Sequence, residues 1–256
     1  MTQFKMKYDI IPRYLTGPSL RRPCIPTLGV RFMVAHDTGN PGSTAAGNVS
    51  YYERSRDEME ASAHIFVDDK DIIECVPFLT AKPEKAWHVV YNVATDNNLF
   101  GADSNDAAGG VELCYGGSID LQEAYNRYIW VLAYSCYKYG LDPGKDITGH
   151  YILDPARKVD PMSAFKLLGK TWDEFVQDVT DEYIDCLRAE EDDDNMPMKL
   201  EQWQWDMLYE VMGEAYNADQ LNWNWMQKIV DKTLTASELA FLNTVLDGRI
   251  DRKIEV

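Results

Sequence analysis

Apolar residues form short, continuous runs in the first part of the chain. The runs lie at residues 31–36, 64–68, 71–76 and 109–115, and turn-forming or charged residues bound them. Apolar runs of this length are typical of strands that are buried in a sheet. The acidic residues between the second and third runs predict a tight turn that joins those two strands.

Longer segments show helical periodicity instead. Residues 43–56, 121–139 and 171–187 place apolar and aromatic side chains on one side of a helix. Gly140 predicts the end of the second helix, and the spacing of Thr171 and Glu174 predicts a capping box at the start of the third. Because strands and helices are interspersed, the sequence predicts an α/β domain with a mixed central sheet flanked by helices.

A run of acidic residues interrupts this pattern. Residues 188–198 read RAEEDDDNMPM, and the repulsion between five consecutive acids disfavours a packed segment. The run predicts a linker between a domain at 1–187 and a second domain at 199–256. A turn that ends the preceding helix is the alternative.

The second segment has an all-helical pattern. Helices are predicted at 200–216, 221–232 and 234–250, the last with a capping box at Thr235 and Glu238. The segment is small for independent folding, so docking or self-association would help to stabilise it. Four tryptophans could form a binding surface, or could form a homo-oligomer through these helices; they are Trp203, Trp205, Trp223 and Trp225.

The charge balance excludes several partners. The 256 residues carry 42 acidic and 25 basic side chains, a net charge of −17, which argues against nucleic acid and against an anionic membrane surface. No segment is apolar for long enough to predict a membrane anchor, and the first residues do not resemble a signal peptide. Five scattered cysteines argue against a disulfide framework. We therefore expect synthesis in the cytoplasm.

Histidine is scarce, and each of its four occurrences lies in a distinctive phrase. His36 ends a predicted strand. Thr148 and Gly149 predict a turn just before His150, which lies ten residues before Asp160, with Lys158 between them. Imidazole and carboxylate groups are common zinc ligands, and a lysine can stabilise negative charge that develops on a substrate. From spacing alone, a metal site and ordinary buried histidines both remain open.

Five phrases carry a family resemblance. They appear in the order AHDTGNPGSTAAGN, ASAHIFVDDKDIIECVP, KAWHVVYN, GGVELCYGGSID and DITGHYILDPARKVDP. This arrangement resembles the zinc-dependent N-acetylmuramoyl-L-alanine amidases related to phage T7 lysozyme and to the peptidoglycan recognition proteins. The phrase around Asn40 looks most similar to endolysins from phages or prophages of Gram-positive bacteria.

The resemblance implies a set of catalytic groups. It assigns the zinc ligands to His36, His150 and Asp160, which leave a fourth position open. Glu112 would be the catalytic carboxylate that transfers protons. Lys158 would stabilise the oxyanion.

Other residues are assigned by the same resemblance to the substrate groove. His88, Trp87 and Asn40 are expected to bind substrate, whereas His64 is either a buried histidine with satisfied hydrogen bonds or a donor to a neighbouring group. The chain departs from the family in two respects. Residues 199–256 match no known wall-binding repeat, so wall targeting and self-association both remain open for them, and Met162 stands where a glycine is common. Met162 is expected to reshape the rim of the groove.

The implied activity is hydrolysis of the amide bond between N-acetylmuramic acid and L-alanine in peptidoglycan. The expected role is that of an endolysin that reaches the cell wall after release from the cytoplasm. A binding module without catalytic activity and a cytoplasmic amidase that recycles wall fragments remain alternatives.

Overall fold

The computed structural model describes residues 4–91, 93–187 and 196–250, with side chains described as far as residue 248. The described residues fall into two compact units, 4–187 and 196–250. Most of the predicted linker, residues 188–195, lies outside the described residues.

A single sheet organises the first unit. Its strands within the described residues are β1 (Ile10–Pro12), β2 (Phe32–Asp37), β3 (Ile65–Val67), β4 (Ile72–Glu74), β5 (Ala108–Leu113) and β6 (Ile147–Gly149). The order across the sheet is β1-β4-β3-β5-β2-β6. Only the pair β3 and β4 is antiparallel among these strands, and the other neighbours are parallel. The predicted mixed sheet is therefore confirmed.

The helices of this unit surround the sheet. They are α1 (Ala45–Arg54), α2 (Thr95–Phe100), α3 (Ser104–Ala107), α4 (Leu121–Tyr139), α5 (His150–Leu153), α6 (Met162–Leu168) and α7 (Trp172–Leu187). The Asp120 carboxylate caps the start of α4, and Gly140 ends the helix in the left-handed conformation. The predicted bounds 121–139 agree with this helix. Thr171 and Glu174 also form the predicted capping box before α7.

Strand β2 is buried on both faces. Met33 and Ala35 pack in the main core with residues of α4 and α7. Phe32 and Val34 alternate with them and pack on the opposite side with Val89 and other residues. Because side chains alternate along a strand, His36 continues the face of Phe32 and Val34, away from the main core.

One local prediction was wrong. The Thr148-Gly149 pair was expected to form a turn before His150, but both residues belong to β6, and His150 begins α5. The pairing of β6 with β2 explains the difference. A partner strand that is distant in sequence satisfies the backbone of a segment whose composition resembles a turn.

The second unit contains three helices within the described residues, α8 (Gln202–Asn217), α9 (Trp223–Val230) and α10 (Ala236–Ile250). Thr235 and Glu238 form the predicted capping box. Trp205 is buried among the helices, whereas Trp203 and Trp223 are exposed. None of the helices described in either unit has the length and apolar composition of a membrane span.

Candidate active site

The site forms where three parallel strands end at the same edge of the sheet. β2 lies between β5 and β6, with His36 opposite Glu112 and Ala35 opposite Gly149. His150 follows Gly149 directly. The strand register therefore brings His36, Glu112 and His150 together, although 114 residues separate the two histidines in the sequence.

Asp160 completes a cluster with the two histidines. Its carboxylate Oδ2 lies 2.9 Å from Nδ1 of His36 and 3.0 Å from Nδ1 of His150. The loop that carries Asp160 is held by a backbone hydrogen bond from Tyr151 N–H to the Asp160 carbonyl at 3.0 Å. Both histidines are buried, so these three side chains are fixed by the surrounding structure.

The protonation states of His36 and Asp160 are suited to metal binding. Burial lowers the pKa of His36 to about 4, although the hydrogen bond with Asp160 opposes this shift. Burial alone would raise the pKa of Asp160, but the two imidazoles outweigh it and hold that pKa well below its usual value. Near neutral pH, His36 is uncharged and Asp160 is ionised. These are the protonation states in which imidazole and carboxylate bind metals.

The three donors also fit a single divalent cation in space. The candidate ligand atoms all lie within 4.8 Å of one another. Ligand atoms around a tetrahedral zinc, bound at about 2.0–2.2 Å, are roughly 3.3 Å apart. The 2.9 Å and 3.0 Å separations at Asp160 are close to this spacing. The predicted ligands His36, His150 and Asp160 can therefore hold one metal ion without rearrangement of the backbone.

Glu112 lies beside the cluster, and one of its carboxylate oxygens has no hydrogen-bond partner among the described residues. This oxygen, Oε2, is buried. Burial raises the pKa of Glu112 well above its usual value, and the carboxylates of Asp160 and Asp37 raise it further, while Lys158 opposes them. A carboxyl group with a raised pKa can both accept and return a proton near neutral pH.

Two adjoining cavities open onto these groups. One of about 280 Å³ is lined by His36, Glu112 and Asp160, and the other of about 380 Å³ extends towards Tyr91. Lys158 lines both cavities. They form a continuous cleft because they also share His88 and other residues, so a substrate in the cleft would lie beside the histidine cluster and Lys158.

Comparison with known proteins agrees with this arrangement. Residues 26–163 match the N-acetylmuramoyl-L-alanine amidase family. The chain belongs to this family. The match spans more than half of the chain and includes the histidine cluster, Glu112 and Lys158.

A curated relative of this chain is the N-acetylmuramoyl-L-alanine amidase BlyA of Bacillus subtilis (strain 168). It is 32% identical over 148 residues, which are 54% of this chain and 38% of the relative. The chain thus spans well under two thirds of the length of that relative.

Solved structures show the same fold. The catalytic domain of XlyA superposes with a TM-score of 0.54 and 23% identity, covering 67% of this chain and 99% of that domain. A mutant endolysin from Bacillus subtilis gives a TM-score of 0.53 and 23% identity, over 67% and 98% of the two chains. At this identity, the comparison supports the fold of the first unit.

The residues expected to bind substrate lie in different environments in the amidase unit. His88 and Trp87 line both cavities of the cleft. Asn40 does not line either cavity. It is exposed in the turn after β2, where its carbonyl accepts a hydrogen bond from Ser43, so a contact of Asn40 with substrate stays a prediction.

His64 is buried and has a partner for each ring nitrogen. Its Nδ1 accepts the Gly110 N–H at 3.0 Å, and its Nε2 lies 2.9 Å from the Glu84 carbonyl. Of the two roles left open for His64, the structure agrees with a buried histidine whose hydrogen bonds are satisfied.

Two residues that position the site were missed by sequence reasoning. The Asp37 carboxylate accepts hydrogen bonds from the backbone N–H of Gly39 and of Ala164, and so connects β2 to α6. The buried Tyr128 hydroxyl of α4 donates to the carbonyls of His36 and Val111. The Asp-x-Gly pattern could have indicated the first Asp37 contact, but the other contacts are long-range and carry no local signal.

Proposed function

We propose that the chain hydrolyses the amide bond between the lactyl group of N-acetylmuramic acid and L-alanine in peptidoglycan, with zinc as its metal. The observation that carries this proposal is the convergence of His36, His150 and Asp160 beside Glu112, whose buried oxygen has no partner among the described residues. Membership of the amidase family supplies the bond that is cleaved.

The three ligands would hold the zinc ion and leave part of its coordination sphere open to the cleft. When bound, zinc polarises a carbonyl and lowers the pKa of water from about 15.7 to roughly 7. The burial of His36 and His150 supports this role, because buried ligands cannot be replaced readily by solvent.

Glu112 would handle the protons of the reaction. Water must lose a proton as it attacks the carbonyl carbon, and the departing amine must gain one. We assign both transfers to the Glu112 carboxyl group. Its raised pKa and its buried Oε2 support this assignment, since no competing hydrogen bond from the described residues has to be broken before a proton is transferred.

Lys158 would stabilise the negative charge that develops on the carbonyl oxygen. Its position between the two cavities supports this role. The segment before Asp160 is ordered by a hydrogen bond from Lys158 N–H to the Asp154 carbonyl at 3.0 Å. Because this bond holds the backbone that carries Lys158 beside the cleft, the chain around Lys158 needs little reorganisation as charge develops.

The biological role that fits this chemistry is lysis of the bacterial cell wall as a phage or prophage endolysin, after release from the cytoplasm. The phrases shared with endolysins support this role. For the second unit, the exposed aromatic side chains of Trp203, Trp223 and Phe241 support either wall targeting or self-association. Sedimentation of the full chain, alone and with purified walls, would separate these two functions.

The activity is tested by incubating the purified chain with bacterial cell walls and measuring newly exposed N-terminal alanine. We expect release of alanine termini that a chelator abolishes and added zinc restores. Release that is insensitive to the chelator would contradict metal catalysis. No release from walls of any type would favour a module that only binds peptidoglycan.

A further inference from the structure

We propose that His88 is a positioning residue for the metal ligand His36, and that Gly110 makes this contact possible. The inference rests on the metal site of the proposed function. In this role His88 does more than line the cleft. Its imidazole would determine which nitrogen of His36 is free to bind a metal.

The two nitrogens of His36 face different partners. Nδ1 lies 2.9 Å from Asp160, whereas Nε2 lies 3.1 Å from Nδ1 of His88. The two histidine rings are almost perpendicular, at 84°, with centroids 5.3 Å apart. This edge-on arrangement is suited to a hydrogen bond between the two nitrogens.

This contact matters for metal binding. A neutral imidazole that binds a metal through Nδ1 carries its proton on Nε2, and a fixed acceptor for that proton holds both the tautomer and the ring orientation. Nδ1 of His88 is placed to be this acceptor for His36. When the hydrogen-bond partner of a metal-binding histidine is removed, the affinity of the site for the metal typically falls by about 10–100-fold.

The main chain of His88 is held in place by Asn105. The backbone N–H of His88 donates to the side-chain oxygen of Asn105 at 2.9 Å, and the backbone N–H of Val89 donates to the same oxygen at 3.1 Å. Asn105 is buried at the start of α3. The peptide before and after His88 is therefore anchored, which limits the positions that its ring can take.

Gly110 provides the space for the His88 ring. A Cβ atom at this position of β5 would lie 2.7 Å from both Cγ and Nδ1 of His88, which is far too close. The backbone of Gly110 is also fixed, since its N–H donates to the buried His64 at 3.0 Å. The strand cannot move away easily, so a methyl group at Gly110 would displace the His88 ring from His36.

The test measures zinc affinity of the full chain by competition with a chelating dye. We compare wild type with His88→Asn and His88→Leu, two replacements that both fill part of the space of the ring. Asparagine places its Oδ1 near the former Nδ1, so H88N can still accept a hydrogen bond from Nε2 of His36. We expect H88N to bind zinc within about threefold of wild type, and H88L about 10–100-fold more weakly.

Gly110→Ala tests the contact between His88 and His36 without changing either histidine. We expect G110A to weaken zinc binding in the wild-type background but to add little to the loss in H88L, because both changes break the same contact. The matched control is Gly213→Ala on α8, where the added methyl meets only the end of a methionine side chain at 3.8 Å. G213A should leave zinc affinity unchanged.

The outcomes separate this inference from the proposed function. If wild type binds no zinc, both are wrong. If wild type binds zinc and H88L binds it equally well, the metal site stands and the role of His88 is wrong. Equal losses in H88N and H88L would also overturn the role, because a packing defect rather than a missing acceptor would then explain them.

Discussion

Two glutamates of the sheet, Glu112 on β5 and Glu74 on β4, should respond in opposite ways to the same substitution. Glu112 on β5 has a buried oxygen with no hydrogen-bond partner among the described residues. Glu74 on β4 is fully buried, and its carboxylate accepts the backbone N–H groups of Phe78, Leu79 and Thr80 at 2.7–3.3 Å. The first arrangement is suited to proton transfer and the second to holding a loop.

Glu112→Gln keeps the shape of the side chain but removes its ability to exchange a proton near neutral pH. General acid–base catalysis contributes about 10²–10⁴-fold, so kcat should fall by that factor, or roughly 3–5 kcal/mol in the barrier. Because Oε2 of Glu112 accepts no hydrogen bond from the described residues, the free energy of unfolding should stay within about 1 kcal/mol of wild type.

Glu74→Gln is the matched control. The amide nitrogen of glutamine cannot accept the loop N–H groups, so buried donors lose their partner at a cost of about 1–3 kcal/mol. For a domain of this size, that loss lowers the thermal midpoint by roughly 2–12 °C. Glu74 lines neither cavity of the cleft, so kcat at a temperature well below the midpoint should be retained.

The assay pairs the release of N-terminal alanine from cell walls with thermal unfolding followed by circular dichroism. The expected pattern is a loss of kcat without a loss of stability for E112Q, and the reverse for E74Q. Full activity in E112Q would refute the assignment of the proton transfers to Glu112. A large drop in the thermal midpoint of E112Q would show that its activity loss is structural.

Further substitutions test the groups around the histidine cluster. Lys158→Met should lower kcat by about 10²–10³-fold in the wall assay, because one charged donor to the oxyanion is lost, whereas Lys166→Met on the exposed side of α6 should not change it. Equal activity of the two variants would contradict the role of Lys158. Tyr128→Phe removes two buried hydrogen bonds to strand carbonyls, so it should lower the free energy of unfolding by about 1–3 kcal/mol in denaturant titrations. Tyr134→Phe on the same helix is the control, and equal stabilities would refute the importance of the Tyr128 contacts.

The longer helices and the apolar strands could be predicted because their signals are local. Asp120 and Gly140 mark the ends of α4 in the sequence, and a capping residue acts within a few positions of itself. Strand β2 was predictable for a similar reason, since all six of its residues are buried and the run is mainly apolar.

The strands β1 and β6 were not predicted, because their stability is not local. Residues of β6 carry a single strongly apolar side chain, Ile147, followed by a threonine and a glycine that suggest a turn. The strand β1 is equally short and exists through its pairing with β4. In both cases the partner strand lies far away in the sequence.

The difference between local signals and long-range pairing also explains which parts of the site could be inferred from the sequence. Spacing alone did not choose between a metal site and ordinary histidines, because the approach of His36 to His150 depends on the pairing of β2 with β6. The family resemblance supplied the ligands and Glu112. It could not supply the contact between His88 and His36, which depends on the absence of a side chain at Gly110.

The metal content of the reconstituted chain tests the central claim most directly. The full chain is incubated with zinc, dialysed and measured by mass spectrometry, beside the variants His150→Ala and Glu112→Gln. We predict about one tightly bound zinc ion per chain in wild type and in E112Q, and a large loss in H150A. Absence of bound zinc in the folded wild type, or undiminished zinc in H150A, would contradict the assignment of His36, His150 and Asp160 as the ligands of a catalytic metal.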